Sequence, residues 1–596
     1  MNLLLDALSV VRNESPTVLL LFAALVWGSV VLAGVLGHAL GAGSSGAQLF
    51  SLALGGWMVP AFLCSVVLLP LGIFLRVRPS TLAVVAFALV TAGWGIWSIG
   101  RRRQAHSAAS IALSLLLAAF FLVIAVLRLA FLAQTPLPLY FDSAEHYRII
   151  HELMTDYAAT STAVPVTSPV DSYYHLGYHG VMAVLAVISQ ANLGRLMLVS
   201  GVIALAALPI PLFVIPYHAT GSKSAGLLAV LLGTLGWYMP GHVLNWGKYP
   251  AVFVVPVLLF TLDAAYLGGL ADQNFRSRRG LRILAVVGAC VAAAIQTRSV
   301  VLIAVVLAAW VGSGLWQRRP AAQRFLAASL MIAALISEVL LLGRSPVLSP
   351  VLDPYLGSGV WITALVGVLA AFAFAGFPRL AFACLLSVVL LILGLFIPGP
   401  DFASGPLLDR PLVEMLLFAP LAVLGATGFA AMIRQLHVRN GLIHAIPAAL
   451  IYIVIIAYAA GHYSFYPSAC CRMVDSDDLA ALDWLSRTPA TDSRVLIPTA
   501  AMSDAPLPYP PLLPASDAGA WVLPLTGRRV SSLPYWTDFG DPKTLETLCQ
   551  QRVGEIFVSS GSQSFSGPSL QAKPEWYIVA LELPQTSIYT VAACDR

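Results

Sequence analysis

The chain has 596 residues, of which 59% are hydrophobic and only 10% charged, with a formal net charge of +5. That is too little charge to cover a water-soluble protein of this size, and the apolar runs reach the length of about 18 residues that a helix needs to cross hydrocarbon. Backbone groups in lipid must be satisfied internally, so the runs are helices or half-helices in a bundle, and their unbroken apolar character excludes a β-barrel.

Met1–Arg12 is weakly amphipathic. The run Thr17–Leu40 is too long for a signal h-region and lacks a clear cleavage site, so the first span is expected to be retained. Candidate spans lie at roughly 17–41, 47–75, 80–100, 109–133, 176–190, 196–217, 224–240, 249–269, 282–296, 299–316, 325–343, 358–377, 380–397, 411–432 and 443–461. The expected fold is a polytopic α-helical membrane bundle of roughly 13–15 helices, some re-entrant, with a small C-terminal extracytoplasmic α/β domain.

Basic knots at Arg101–Arg103, Arg276 to Arg282, Arg318 to Arg324 and Arg434 to Arg439 read as cytoplasmic loops, not nucleic-acid sites. The loop 134–172 and everything after Gly461 then lie on the other side of the membrane. Between that loop and Trp246–Pro250, three apolar stretches occur where an even number is required, so 176–190 or 224–240 is expected to be re-entrant or to lie across the bundle. The run 282–316 is basic at both ends but has Gln296, Thr297, Arg298 and Ser299 at its centre. It reads as a helical hairpin with a polar tip, because one long helix would bury Arg298 at mid-membrane.

The loop after the fourth span reads Pro138-Leu-Tyr-Phe-Asp142-Ser-Ala-Glu145-His146-Tyr147 and leads into a short amphipathic helix to about Asp156. Its acidic residues and histidine form a polar cap at the membrane face, or Asp142 and Ser143 merely cap the helix. Next, Asp171 to His179 places His175, Tyr178 and His179 on one helical face. That face fits a metal, a phosphate or sugar contact, or an interfacial aromatic belt. Further polar groups on the same side are His242, Asn245, Trp246, Lys248, Tyr249, Arg298, Asp353, Tyr355, Asp409 and Arg410. Together they offer cations for a phosphate, a carboxylate for a proton and aromatics for a sugar face. Glu338, inside a span, is the feature that points toward transport.

In the tail, Asp475–Leu485 carries an N-cap followed by a helical period, and RVLIP (494–498), EIFVS (555–559), WYIVALEL (576–583) and SIYTVAA (587–593) read as strands of a small α/β domain. The Pro-rich stretch 504–514 reads as loop. Cys64, Cys290 and Cys384 lie in spans, whereas Cys470, Cys471, Cys549 and Cys594 lie in the tail. The tail set allows three pairings, of which one joining Cys549 or Cys594 to the Cys470–Cys471 neighbourhood is preferred. No P-loop, no HExxH and no GxGxxG in a βαβ setting is present, and the cytoplasmic loops are too short for a sugar-nucleotide domain.

An Asp in the first long external loop, a following amphipathic helix, a Tyr/His-rich re-entry and an exported α/β tail together resemble the GT-C superfamily of polyprenyl-phosphate-sugar-dependent membrane glycosyltransferases. The tail runs DLAALDWLSRTPATDSRVLIP and SDAGAWVLPLTGRRVSS are similar in order to the oligosaccharyltransferase catalytic subunit. In place of its WWDYG motif this chain reads Ser516-Asp517-Ala518-Gly519-Ala520-Trp521, so peptide-sequon recognition is not carried over. The resemblance implies an N-terminal transmembrane extension at 1–104, a catalytic bundle at 105–464 and an extracytoplasmic domain at 465–596. It implies Asp142 as general base or acceptor-orienting carboxylate, with Glu145 and His146 as secondary catalytic candidates. Lys248, Arg298 or Arg410 would clamp the donor phosphate, beside His175, Tyr178, His179 and Tyr249. It implies a lipid-linked sugar donor, membrane lipid, and a glycan, lipid or protein acceptor, with no nucleic acid. Dependence on a divalent cation stays open. The competing readings are a transporter or flippase of a lipid-linked substrate and a non-catalytic membrane assembly protein.

Overall fold

The computed structural model describes residues 2–13, 108–154, 175–270, 275–343, 345–399, 406–435, 441–489, 493–499 and 515–595. The predicted spans at 17–41, 47–75 and 80–100, the Arg101–Arg103 knot, Asp171–Tyr174 and the Pro-rich stretch 504–514 lie outside these residues. Among the described residues, six helices are long and apolar enough to cross a membrane, and a further pair, Leu348–Gly357 and Val360–Gly376, is bent by 81°. The chain is a multi-pass membrane protein: a helical bundle with a five-stranded sheet at its C-terminus.

Two ends of the bundle are told apart by what ties them. At the tail-bearing end, Tyr140 N–H donates to the Cys471 carbonyl (3.3 Å), Arg128 meets Tyr463, and Lys248 meets Asp142. At the opposite end, Arg434 donates to the Thr220 carbonyl, Arg282 Nε donates to the Gly268 carbonyl (3.1 Å), and Arg379 stacks over Trp310 at 4.1 Å. Arginines at helix C-termini satisfy orphan carbonyls and oppose the negative end of the helix dipole. The described basic knots therefore gather at one end, away from the tail.

The parity conflict resolves in the helix Leu176–Ser189. Its start is held to the tail-bearing end by His175 on Thr297 (2.9 Å). Just past its end, Arg195 donates to the carbonyls of Leu132 (3.4 Å) and Thr135 (3.1 Å), which lie at that same end. Both termini share one side, so this helix lies across the bundle and the next one, Leu193–Thr220, makes the crossing. The run 282–316 does form a hairpin, Phe275–Ile295 and Ser299–Gln317, with Gln296–Arg298 at its tip. Phe325 and Trp361 are 77% and 73% exposed on the outer wall, a surface suited to lipid and not to water. The core between helices holds Phe213, Trp237, Phe260, Phe418 and Phe429, all fully buried.

The tail sheet has the order β2-β1-β3-β5-β4, with β1 Arg494–Thr499, β2 Val530–Pro534, β3 Val553–Val558, β4 Tyr577–Glu582 and β5 Ser587–Val591. The first three are parallel, and β5 and β4 join antiparallel. Along β1, Val495 and Ile497 pack with Leu482, Leu485 and Trp521 on one face, while Leu496 packs with Phe539, Ile556 and Tyr589 on the other. That is the period of two expected for a strand covered on both sides. The edge strand β2 has no apolar run to announce it and is only half-buried, so it is missing from the sequence expectation.

The expected cysteine pairing does not form. Cys549 joins Cys594, and Cys470 joins its neighbour Cys471. After β5, Ala593–Asp595 turns against the end of helix Pro542–Gln550 and brings the Cys549 and Cys594 Cα atoms to 5.3 Å, within disulfide range. Cys471 instead lies against Tyr140, at the junction of bundle and tail.

Two acids, the buried Asp478 and the partly buried Asp517, knit the tail. Asp478 accepts from Ser560 N–H (3.0 Å), Ser560 Oγ (2.8 Å) and Thr586 Oγ1 (2.6 Å), and Asp517 accepts from Gly519 N–H and Ser559 Oγ, both at 2.9 Å. Burial pushes the Asp517 carboxyl up to about 6 despite these bonds, and it raises Asp478 as well. A folded-state pKa above the usual carboxylate value means that the folded tail binds the proton more tightly, so its stability falls as pH rises from about 4 to about 6. Hydrogen exchange in β1 and β3, corrected for intrinsic rates, is expected to be slower at pH 5 than at pH 7, and Asp517→Asn should flatten that difference. An unchanged pH dependence in the variant would remove Asp517 as its source.

Candidate active site

The chain bends at Pro136 and Leu137, and Tyr140 adopts φ +65° before the helix Phe141–Met154 begins. Asp142 sits in the first turn, where a carboxylate suits the positive end of the helix dipole. This helix lies between the two halves of the molecule. Ile149, Ile150 and Leu153 face the bundle core, while Ala144 joins the tail's core and Tyr147 meets Trp521 edge-on at 5.5 Å.

Asp142 is 5% exposed and its carboxylate is ion-paired with Lys248. Lys248 reaches it because Gly247 takes φ +62° in close contact with the turn beneath it. A Cβ on Gly247 would fall 2.4 Å from Ser143 Oγ and 2.8 Å from the Leu139 carbonyl. Gly247→Ala is expected to cost about 1–2 kcal/mol from the left-handed backbone alone, with the collision in addition, and to move Lys248 off Asp142. Thermal unfolding in detergent checks this, and an unchanged unfolding temperature would mean that the turn relaxes freely.

Burial pulls the Lys248 ammonium pKa down, but the charge and hydrogen bond of Asp142, with Asp409 and Tyr140 beyond, outweigh it and leave the pKa above the ordinary value. Lys248 is thus a cation at neutral pH. Burial and the Asp142 charge raise the Tyr140 phenol, while Lys248 and Arg410 pull the other way, so all four groups share one field. Around them stand Arg298, paired with Asp409, and Arg410, 3.5 Å from Glu414. The side chains of Arg298 and Arg410 are 42% and 48% exposed, open to an incoming anion.

The histidines form a chain. Thr297 Oγ1 lies 2.9 Å from His175 Nδ1, the His175 carbonyl lies 3.0 Å from His179 Nδ1, and His179 Nε2 lies 3.0 Å from His146 Nδ1. Only an N–H faces a carbonyl, so His179 carries its proton on Nδ1, and His146 Nδ1–H donates to His179 Nε2. Burial, then His179 and Lys248, lower the His146 pKa well below the ordinary value, which keeps that ring neutral.

Of the predicted residues, the structure brings Asp142, Lys248, His146, His175, His179, Arg298 and Arg410 into one linked group. Glu145 lies beside them, but its carboxylate is gripped by Arg148 through Nε (2.8 Å) and Nη2 (2.5 Å). Tyr178 and Tyr249, expected at the substrate, are instead fully buried and stacked on each other at 6.1 Å, with Phe253 edge-on to Tyr178 at 5.1 Å. Their bulk fills the space between the crosswise helix and Tyr249–Gly269. His175 and His179 bond to different partners and do not chelate as a pair. Sequence reasoning missed Arg148, although its i−3 and i+4 spacing to Glu145 and Glu152 was available, and Tyr140, whose left-handed backbone leaves no mark in the sequence.

A divalent ion does not fit among these groups. The carboxylates of Asp142, Asp409, Glu414 and Glu145 are each paired with a cationic side chain, and no three of them converge.

No known family profile matches the chain, and no curated protein matches it. Similar solved structures include the Archaeoglobus fulgidus oligosaccharyltransferase in the apo form, 11% identical over 79% of this chain and 72% of that one, with a TM-score of 0.47. Another is the archaeal oligosaccharyltransferase AglB from Archaeoglobus fulgidus in complex with an inhibitory peptide and a dolichol-phosphate, 12% identical over 81% and 75%, with a TM-score of 0.44. A third is arabinofuranosyltransferase AftD from Mycobacteria, 16% identical over 71% of this chain and 36% of that one, with a TM-score of 0.41. Likeness at this level is one of chain path, and the functional reading rests on the site itself.

Proposed function

We propose that this chain is a GT-C-type membrane glycosyltransferase that moves a sugar from a polyprenyl phosphate to an extracytoplasmic acceptor. The observation that carries the reading is the Asp142–Lys248 pair at the end of a lipid-facing bundle, with the half-exposed Arg298 and Arg410 beside it. An inverting transfer needs a carboxylate on one side of the anomeric carbon and cations on the other. Asp142 takes the proton of the acceptor hydroxyl as its oxygen bonds to the anomeric carbon. The bond from that carbon to the phosphate oxygen breaks, and polyprenyl phosphate leaves with its electron pair.

Lys248 serves both partners. Its ammonium has three donors, so it holds the Asp142 carboxylate in place while a further donor turns to the phosphate. Arg298 and Arg410 complete the clamp, while Arg148 engages Glu145 and Glu152 within the helix that carries Asp142. In this reading the tail lies outside the cell membrane and covers the site through Trp521. Glu338 does not favour transport, because it lies on a helix whose apolar side chains face outward.

The test is transfer by the purified protein with a panel of radiolabelled polyprenyl-phosphate sugars and total extracytoplasmic acceptor material. Label appearing in acceptor supports the enzyme. No transfer from any donor by folded protein that binds polyprenyl lipid would move the reading to transport or assembly.

A further inference from the structure

A second group of side chains lies at the junction of bundle and tail, outside the proposed catalytic set. His242 stands on the turn Gly241–Trp246, its ring held edge-on between Tyr238 at 5.4 Å and Trp246 at 5.3 Å. Facing it is the turn Ala469–Cys471. The sulfurs of Cys470 and Cys471 and a ring nitrogen of His242 all lie within 4.8 Å of one another. One buried amide ties the two turns together. Asn245 Nδ2 donates to the His242 carbonyl (3.2 Å) and lies 3.3 Å from His242 Nδ1, while Asn245 Oδ1 accepts from Ser468 N–H (2.7 Å).

We propose that Cys470, Cys471 and His242 form a binding site for a thiophilic d10 cation, with zinc as its probe, that exists when the two thiols are reduced and is closed by the Cys470–Cys471 disulfide. Two sulfurs and one imidazole are the donor set such a cation prefers, and three protein ligands leave a fourth position for water. An outer amide that orients the ligand-bearing turns is the usual support of such a site. Opening it needs a dithiol reductant, which passes two electrons and two protons to the disulfide and becomes a disulfide itself. Zinc then displaces both thiol protons as it binds. Nothing in this depends on glycosyl transfer.

The experiment uses the full chain in detergent, oxidised or reduced with dithiothreitol and desalted without air. Each sample is loaded with Zn²⁺, passed over a chelating resin and assayed for zinc and free thiols. The reduced parent is expected to keep about one zinc per chain and the oxidised parent background only. Reduced His242→Gln, which keeps both cysteines and has the same thiol count, is expected to fall to background, as is the double variant Cys470→Ser/Cys471→Ser, which retains Cys549 and Cys594. With Co²⁺ in place of zinc, sulfur-to-cobalt charge-transfer absorption should appear only in the reduced parent. Background zinc in the reduced parent, equal zinc in the oxidised parent, full retention by either variant, or a disulfide that resists reduction would each overturn the proposal.

Discussion

Asp142→Asn is expected to lower the turnover of sugar transfer by about 10²–10⁴-fold, the range a positioned general base supplies. The amide keeps the shape of the carboxylate and removes its charge and basicity. Lys248 loses its partner, but its side chain is 33% exposed, so water takes over part of the lost contact and the fold survives. The freed ammonium then belongs wholly to the donor phosphate, so the donor KM should stay level or fall while kcat collapses. Lys248→Gln should do the reverse in part, raising the donor KM because one phosphate contact is gone. Initial rates against donor concentration for both variants separate the two roles. Unchanged kcat in Asp142→Asn would take Asp142 out of the chemistry and leave it a helix-capping or ion-pairing residue.

Glu555→Gln is expected to destabilise the tail by about 3–5 kcal/mol, the cost of breaking a buried ion pair from one side. Glu555 lies on the central strand β3, and its Oε2 accepts from Arg528 Nη2 at 2.5 Å. The Arg528 and Glu555 side chains are 2% and 11% exposed, so water cannot replace the lost charge. A loss of that size is a large part of the 5–15 kcal/mol that holds a typical domain. Hydrogen exchange across β1, β3 and β5 should rise towards the unfolded rate while the bundle helices stay protected. The double variant Arg528→Met/Glu555→Leu should recover most of the loss, because well-packed apolar replacement of a buried pair is often neutral. No recovery would mean that Arg528 holds the tail through its other contacts, and no loss in the single variant would mean that the pair contributes little.

Much of the architecture could be read without coordinates because it is local. Apolar runs of spanning length mark helices whatever they pack against, and the polar centre of 282–316 announces a hairpin because Arg298 cannot rest in hydrocarbon. Asp475 caps the helix Ser476–Arg487 with its own side chain, on N–H groups two and three residues ahead, so it too is written in adjacent residues. The strands with apolar runs were legible for the same reason. The edge strand β2 was not, since it forms only by pairing with β1.

The sequence by itself determined that this chain crosses a membrane repeatedly, ends in a small α/β domain and gathers acids, cations and aromatics on the tail-bearing side. Only the tertiary structure decided which of them meet. Asp142 and Lys248 are 106 residues apart, Arg298 and Asp409 are 111 apart, and His146 finds His179 across two helices. It also withdrew Tyr178 and Tyr249 into the core and paired Cys549 with Cys594. Periodicity reports how a segment meets its immediate surroundings, water or lipid, over a few turns. Partnership between distant residues depends on how helices cross and where loops bring them, which no local pattern encodes.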